Sequence, residues 1–300
     1  MRTFVLLFLS IACHGQTRVD NVLAGMIPPG TVSLLGARMD ELKTTALYRK
    51  IVQQRKLADL DRFAGETGFD PRRDVKELLL ASNGEQNGTV LLARGAFHVS
   101  GFGSTKEFKH GEYVIHGDER AGFCILDSTL AAAGPLPPLY AALDQWHAHA
   151  PQAAPGLLKR AEEMPASEQI WAVSDGGLTF VAGMLRAGQS GPDFAQILRS
   201  LQSTSFRANL TGGLDALAQG NTKDPDDAKS LADAARGLIG FGRLSVPENH
   251  RELLKLWDGF HVDQTGAHIT ITVKIPQDLI DQLMDMLQTS GGPGRVAELR

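Results

Sequence analysis

Three hundred residues, 43% hydrophobic and 21% charged, suffice for two ordinary domains or one large one, and this is the composition of a folded chain, neither disordered nor fibrous. The net charge is −4 and no block of lysine or arginine stands out, which argues against a nucleic-acid footprint. Two cysteines, Cys13 and Cys124, exclude a disulfide framework and a CxxC redox site.

The chain opens on MRTFVLLFLSIACHGQ: basic Arg2, an apolar run from Phe4 to Ala12, then small residues. That is the pattern of a secretory signal, with cleavage expected within residues 1–15. The run is far shorter than the ~20 residues that span a bilayer, and no later segment reaches that length. LSIAC also resembles a lipobox, in which Cys13 would become a lipidated first residue; Ser10 stands where such patterns usually carry leucine. Residues 16–26 are then expected to be a tether.

From residue 27 the pattern is strand, helix and hairpin. A Pro-Gly turn leads into an apolar strand, Val32 to Ala37, with Asp40 expected to cap the helical segment after it. Leu47, Ile51, Leu57, Leu60 and Ala64 recur at helical spacing. ETGFDPRRDVKELLLAS (66–82) is the densest knot of charge. Asp70 before Pro71 is a capping pair, Arg72 and Arg73 have local counter-charges in Asp70 and Asp74, and Glu77 to Ala81 reads as a strand. A structural role is expected for the stretch, not an anion site. SNGEQNG and the Gly-Asp turn of EYVIHGDERAGFCILDS are hairpin loops. Cys124, inside the latter, is expected to be a small buried hydrophobe. LPPLYAALDQWHAHAP is a helix that stops before Pro151.

The second half repeats the logic. EQIWAVSDGGLTFVAGML predicts two strands around Asp175, DFAQILRSLQ a short helix, and SFRANLTGGLDALAQGN a hairpin. DPDDAKSLADAARGLIGFGRL is the clearest helix, capped by Asp224 with Pro225 in first position. Ala228, Leu231, Ala235 and Leu238 form its apolar face, and Gly237, Gly240 and Gly242 allow close backbone approach. ENHRELLKLWDGF is a further helix. Ile269, Ile271, Val273 and Ile275 alternate with Thr270, Thr272 and Lys274, the signature of an antiparallel sheet with one wet face. Leu279, Leu283 and Leu287 line a closing helix, and residues 289–300 form a mobile tail. The expected fold is α+β: duplicated antiparallel halves at 27–150 and 166–288, each with helices packed on one face, and Leu231, Leu238, Leu279 and Leu283 in a shared core.

LDRFAGETGFDPRRDVKELLLAS followed by LLARGAF, and AKSLADAARGLIGFGRL leading to LWDGFHVDQTGAHITITVKIP, resemble segments of uncharacterised exported bacterial proteins with two ferredoxin-like α+β halves. The likeness covers roughly residues 27 to 288. It implies export and a fold, and supplies no catalytic residue.

Motifs that carry chemistry are scarce in this chain. Among nine histidines, His147 and His149 are the best metal candidates, but at a helix end they diverge, and His116 with Asp118 would need distant partners. No HExxH, GxSxG, SxxK or Walker A motif occurs. GLIGFGR has its glycines in the wrong order for a dinucleotide site. Asp226-Asp227 and Glu162-Glu163 suit helix-start and surface roles. Trp146, Trp171 and Trp257 suit core or half-buried packing. No catalytic, cofactor-binding or metal residue is assigned. Three functions stay open: a non-catalytic envelope protein that binds or scaffolds an unknown protein partner, touching membrane only through a lipid on Cys13; a small-ligand binder or sensor with a cleft between the halves; and an enzyme with a dispersed site. Expressed in a bacterial host, the chain is expected outside the cytoplasm without residues 1 to about 15. N-terminal sequencing, and palmitate labelling of wild type beside Cys13→Ser, check this; an intact cytosolic N-terminus would rule it out.

Overall fold

Strand-forming runs in this chain pair with their neighbours in sequence, and a computed structural model shows how far that pairing extends. It describes residues 18–54, 61–62, 64–65, 69–97, 106–177, 200–246, 251 and 253–289. The signal segment, Cys13, Leu57, Leu60, the strand expected after Gly177, most of DFAQILRSLQ and the tail from residue 290 lie outside those residues.

One twelve-stranded sheet runs through the described chain. At its centre β1 (Ser33–Arg38) pairs with β8 (Ile170–Asp175). On one side lie β2 (Val75–Ser82) and β3 (Thr89–Gly95), then β7 (Leu130–Pro135), β6 (Ala121–Asp127), β5 (Tyr113–Gly117) and β4 (Lys106–His110). On the other lie β9 (Leu201–Asn209) and β10 (Gly213–Thr222), then β12 (His268–Pro276) and β11 (Phe260–Thr265). The strand order is repeated in outline: a three-strand meander, then a second run, four strands (β4 to β7) in one set and two (β11, β12) in the other, whose last strand docks on the third meander strand. All pairings among the described strands are antiparallel. A ferredoxin-like half is a split βαβ unit with a parallel neighbour pair, so that part of the expected architecture is not found here.

Register decides which side chains share a face, because cross-strand partners point the same way. Leu34, Leu79, Leu92, Ala132, Trp171 and Val173 point to one face. They form the largest core with α1 (Asn21–Gly25), α5 (Leu136–His147) and α6 (Pro155–Glu162), which contribute Leu23, Leu139, Leu143 and Leu157. The opposite face is covered at the other end of the sheet. There α7 (Pro225–Leu244) packs Leu231 and Ala232 on Ile269 and Ile271. Next to it α3 (Ala46–Gln54) packs Leu47 near Phe206 and Ala208, and Lys50 Nζ ties it to Asp281 and Asp285 of α9 (Gln277–Thr289) at 3.2 and 2.8 Å.

Helices therefore cover one face in each half, as expected, but opposite faces in the two halves. A single shared core does not form. Leu231 and Leu279 are buried and Leu283 is half-buried, whereas Leu238 is 37% exposed and, further along α7, Phe241 and Leu244 are exposed as well. Ile51 is likewise exposed. Only Gly242 of the three helix glycines meets a close neighbour: a Cβ there would lie 2.2 Å from the ring of Trp257 on α8 (Leu254–Asp258), while Gly237 and Gly240 face open space. Asp40 sits inside α2 (Met39–Leu42), whose N-cap is Arg38. Leu201 and Gln202, expected in a helix, begin β9.

The expected tether is also corrected from residue 18 onward. Val19, Leu23, Ala24 and Met26 are buried in the core, and Asp20 caps α1. The Arg18 guanidinium donates to the Pro165 and Glu168 carbonyls at 3.1 and 2.6 Å and lies 5.8 Å from the centre of the Trp171 ring. Burial pushes its pKa below the ordinary arginine value. The interval 150–166, expected as a boundary, holds α6, with Leu157 and Ala161 in the core.

Trp171 is the bulkiest fully buried side chain and lies across the central β1–β8 pair, where a Cβ on Gly36 would come within 2.2 Å of its ring. Trp171→Ala is expected to lower the unfolding free energy by about 3–5 kcal/mol, measured by urea titration.

Candidate functional site

The knot of charge, from Phe69 to Leu78, forms one wall of an apolar groove. Pro71 starts the short helix α4 (Pro71–Asp74), and Asp70 Oδ1 accepts the Arg72 backbone N–H at 2.9 Å. Asp74 Oδ2 accepts the N–H of Asp70 at 2.9 Å, which closes the turn from the other side. The turn is held from below by Lys43, whose ammonium donates to the carbonyls of Arg73 (2.8 Å) and Val75.

Both arginines are committed locally. Arg72 Nε and Nη2 donate to the two Asp70 oxygens at 2.8 and 2.9 Å, and Nη1 to Asp61 at 2.7 Å. Arg73 grips Asp74 through Nε and Nη2 at 2.6 and 2.7 Å. Hydrogen bonds from these guanidinium groups hold the Asp70 and Asp74 carboxyls below the ordinary carboxylate range. The same pairs push Arg72 and Arg73 above the ordinary arginine value. The expected structural role is what the geometry shows.

The apolar residues of the same stretch do something the charges do not. β2 carries Leu78, Leu79 and Leu80 in a row, so both faces of the strand are apolar. Leu79 enters the large core, while Leu78 points to the opposite face with Leu91, Ala93, Ala131, Ala133, Phe123 and Ile125. Its rim is built from Met39 of α2, Tyr48 of α3, Pro71 and Arg72 of α4, and Phe69 and Phe97. Phe69 and Phe97 meet at 5.2 Å between ring centres and close one end. The result is a cavity of about 450 Å³ lined almost wholly by carbon. Ligand pockets typically measure ~300–1,000 Å³ and are mainly apolar. The alanines of β7 supply the hollow: between Leu91 on β3 and Phe123 on β6, a methyl group at position 133 leaves the space a larger side chain would fill.

Other candidates come apart. His147 ends α5 with its ring 2.9 Å from Glu112, and His149 turns away with Nδ1 near the Trp146 carbonyl. His116 lies near Glu107 and stacks on Phe123. Among the described residues no three His, Cys, Asp or Glu side chains converge as a metal site. Cys124 is buried, and burial pushes its thiol up to about 11. Trp171 is buried and Trp146 and Trp257 are half-buried, as expected. No described helix is long and apolar enough to cross a membrane.

No protein-family model matches the sequence, and no curated protein sequence matches it. Solved structures do. Crystal form III of TP0453 superposes with a TM-score of 0.51 at 10% identity, over 90% of this chain and 98% of that one. The chain is similar in fold to TP0453. Crystal form I of that protein gives 0.49 at 11% identity, over 90% of this chain and 98% of that one. At these identities the likeness to TP0453 concerns the α+β fold alone.

The groove was not foreseen from the sequence, although a signal was present. Runs such as KELLLAS and TVLLARG are apolar on both faces, and the first half has too few helical segments to cover both. The Arg72→Gln, Arg73→Gln double variant is expected to be folded and only modestly less stable, with a smaller drop in urea midpoint than Trp171→Ala. Because the folded Asp70 and Asp74 carboxyls titrate below 3.8, the stabilisation is present above that pH and is lost as pH falls further below it. The gap between wild type and variant is therefore largest near neutrality and closes in acid, as chemical denaturation at several pH values will show.

Proposed function

We propose that this is an exported, non-catalytic protein that binds an apolar small molecule in the groove between β2, β3, β7 and β6. The observation that carries the reading is a hollow of about 450 Å³ with almost no polar lining, between the sheet face that carries Leu78, Leu91 and Ala133 and a rim of Met39, Tyr48, Phe69 and Phe97. An exposed apolar hollow of this kind costs free energy in water, roughly 25 cal/mol per Å² of apolar surface, and a ligand recovers it. The site expected between the two halves moves, in this reading, into the first. Catalysis has less support: the one cation on the rim is already paired, and no nucleophile and base face each other across the hollow among its described lining residues.

Export rests on Arg2 and the apolar run to Ala12. A lipid on Cys13 would add a membrane anchor. Since Arg18 is already fixed to the core, four residues, or five Cα-to-Cα steps, would separate anchor and body, a reach of at most ~18 Å at 3.3–3.6 Å per step. The body would sit close to the membrane surface, not on a long stalk.

The groove reading is tested by filling it. Wild type is expected to bind the neutral fluorescent probe N-phenyl-1-naphthylamine saturably and in one-to-one ratio. Ala133→Trp is expected to bind it at least about ten-fold more weakly, with the far-ultraviolet circular dichroism unchanged. Equal binding by both proteins, or none by wild type, would refute the reading.

A further inference from the structure

The solvent side of α7 changes character part-way along the helix. Ala228, Leu231 and Ala232 bury the other side. At about 100° per residue, the side opposite them carries Asp226, Ser230 and Asp233 in the first half, all exposed. In the second half it carries Gly237, Gly240, Phe241 and Leu244, at i, i+3, i+4 and i+7, with Leu238 flanking them. Phe241 is 71% exposed and Leu244 87%.

Two features of this stripe have no cause within a single copy. Leu238, Phe241 and Leu244 leave on the order of 350 Å² of apolar side chain in water, at about 150–200 Å² for each fully exposed side chain. Gly237 and Gly240 lie inside the helix, where glycine is the least favourable residue after proline. Local packing does not require them, since a Cβ at either would meet nothing within 4 Å, whereas Gly242 is needed to clear the Trp257 ring.

A second copy supplies both causes. When two such helices run antiparallel about a two-fold axis at residue 239, Phe241 stands at the height of Gly237 of the partner copy, and Leu244 at the height of Ala234 of the partner copy. Large residues meet small ones throughout, and Gly240 lets the backbones come close. The cations beside the stripe are already neutralised, Arg236 by Asp233 at 3.1 Å and Arg243 by Asp258.

We infer that the second half of α7 is a self-association surface, covered by a second copy of this chain in an antiparallel two-fold pair. Two copies remove about 700 Å² of apolar side chain from water. At the usual apolar share of roughly 60%, that corresponds to ~1,200 Å² in all, the lower limit of a specific interface. The dimer is therefore weak and forms as concentration rises.

The test is analytical ultracentrifugation of the mature protein over roughly 1–300 µM, the range in which an interface of this size dissociates. Wild type is expected to pass from monomer to dimer, and Phe241→Glu to stay monomeric with its circular dichroism unchanged. Gly237→Gln is expected to raise the urea midpoint, because it fills open space on a helix, and to weaken the dimer at least about ten-fold, because it fills the hollow for Phe241. A glycine with a purely structural role would not give those opposite changes. Wild type that is monomeric at every concentration, or a dimer that neither variant weakens, overturns the inference. Wild type that stays monomeric but floats with phosphatidylcholine vesicles, while Phe241→Glu does not, also overturns it and gives the face to a lipid surface.

Discussion

The antiparallel pairing of β1 with β8, with Trp171 spread over Gly36, is the join on which the rest of the fold depends. It makes one sheet from two strand sets, of seven and five strands, that share one order in outline. It also brings the start of the described chain into the core, since the Arg18 guanidinium lies near that indole and binds the carbonyls of the segment entering β8. A glycine is needed because the ring occupies the space of any Cβ. The buried tryptophan in turn shares one core with Leu23 of α1 and Leu157 of α6.

A long sheet has two faces to cover, and here the helices divide the task. One face is closed by α1, α5 and α6 over the first strand set, the other by α3, α7 and α9 over the second. What remains uncovered differs in kind. Over the second set the open face carries Ser203, Ser205, Arg207, Gln219, Asn221, Thr270, Thr272 and Lys274, which water satisfies. Over the first set the open face carries Leu78, Leu91, Phe123 and Ile125, which water does not. Equivalent places in the two sets have opposite polarity, and the difference is what makes one of them a groove.

The charges around the groove are already neutralised by their own neighbours. Asp70 is at once helix cap and partner of Arg72, and Asp74 is at once turn lock and partner of Arg73. Such double use keeps the wall in place and removes its cation from the pool available to a ligand. Lys43, pinned to two carbonyls and with its pKa lowered by burial, belongs to the same scaffold.

Local order was determined by the sequence alone. Asp-Pro pairs at 70–71 and 224–225 start helices because a short carboxylate reaches free N–H groups and proline needs none. The hairpins and the alternation along β12 arise from turn residues and a period of two. The pairing of Arg72 and Arg73 with their aspartates is also local, and it too was legible. The side of the sheet each helix would cover was not, because that depends on the path of the connections and not on any periodicity. Leu238 has the spacing of a core residue, but only the first half of α7 is buried, at Ala228, Leu231 and Ala232. Leu78 and Leu79 are neighbours in the same apolar run; one lies in the core and the other in the groove. Only the tertiary structure could separate them, because burial is a property of what packs on a face and not of the residue that presents it.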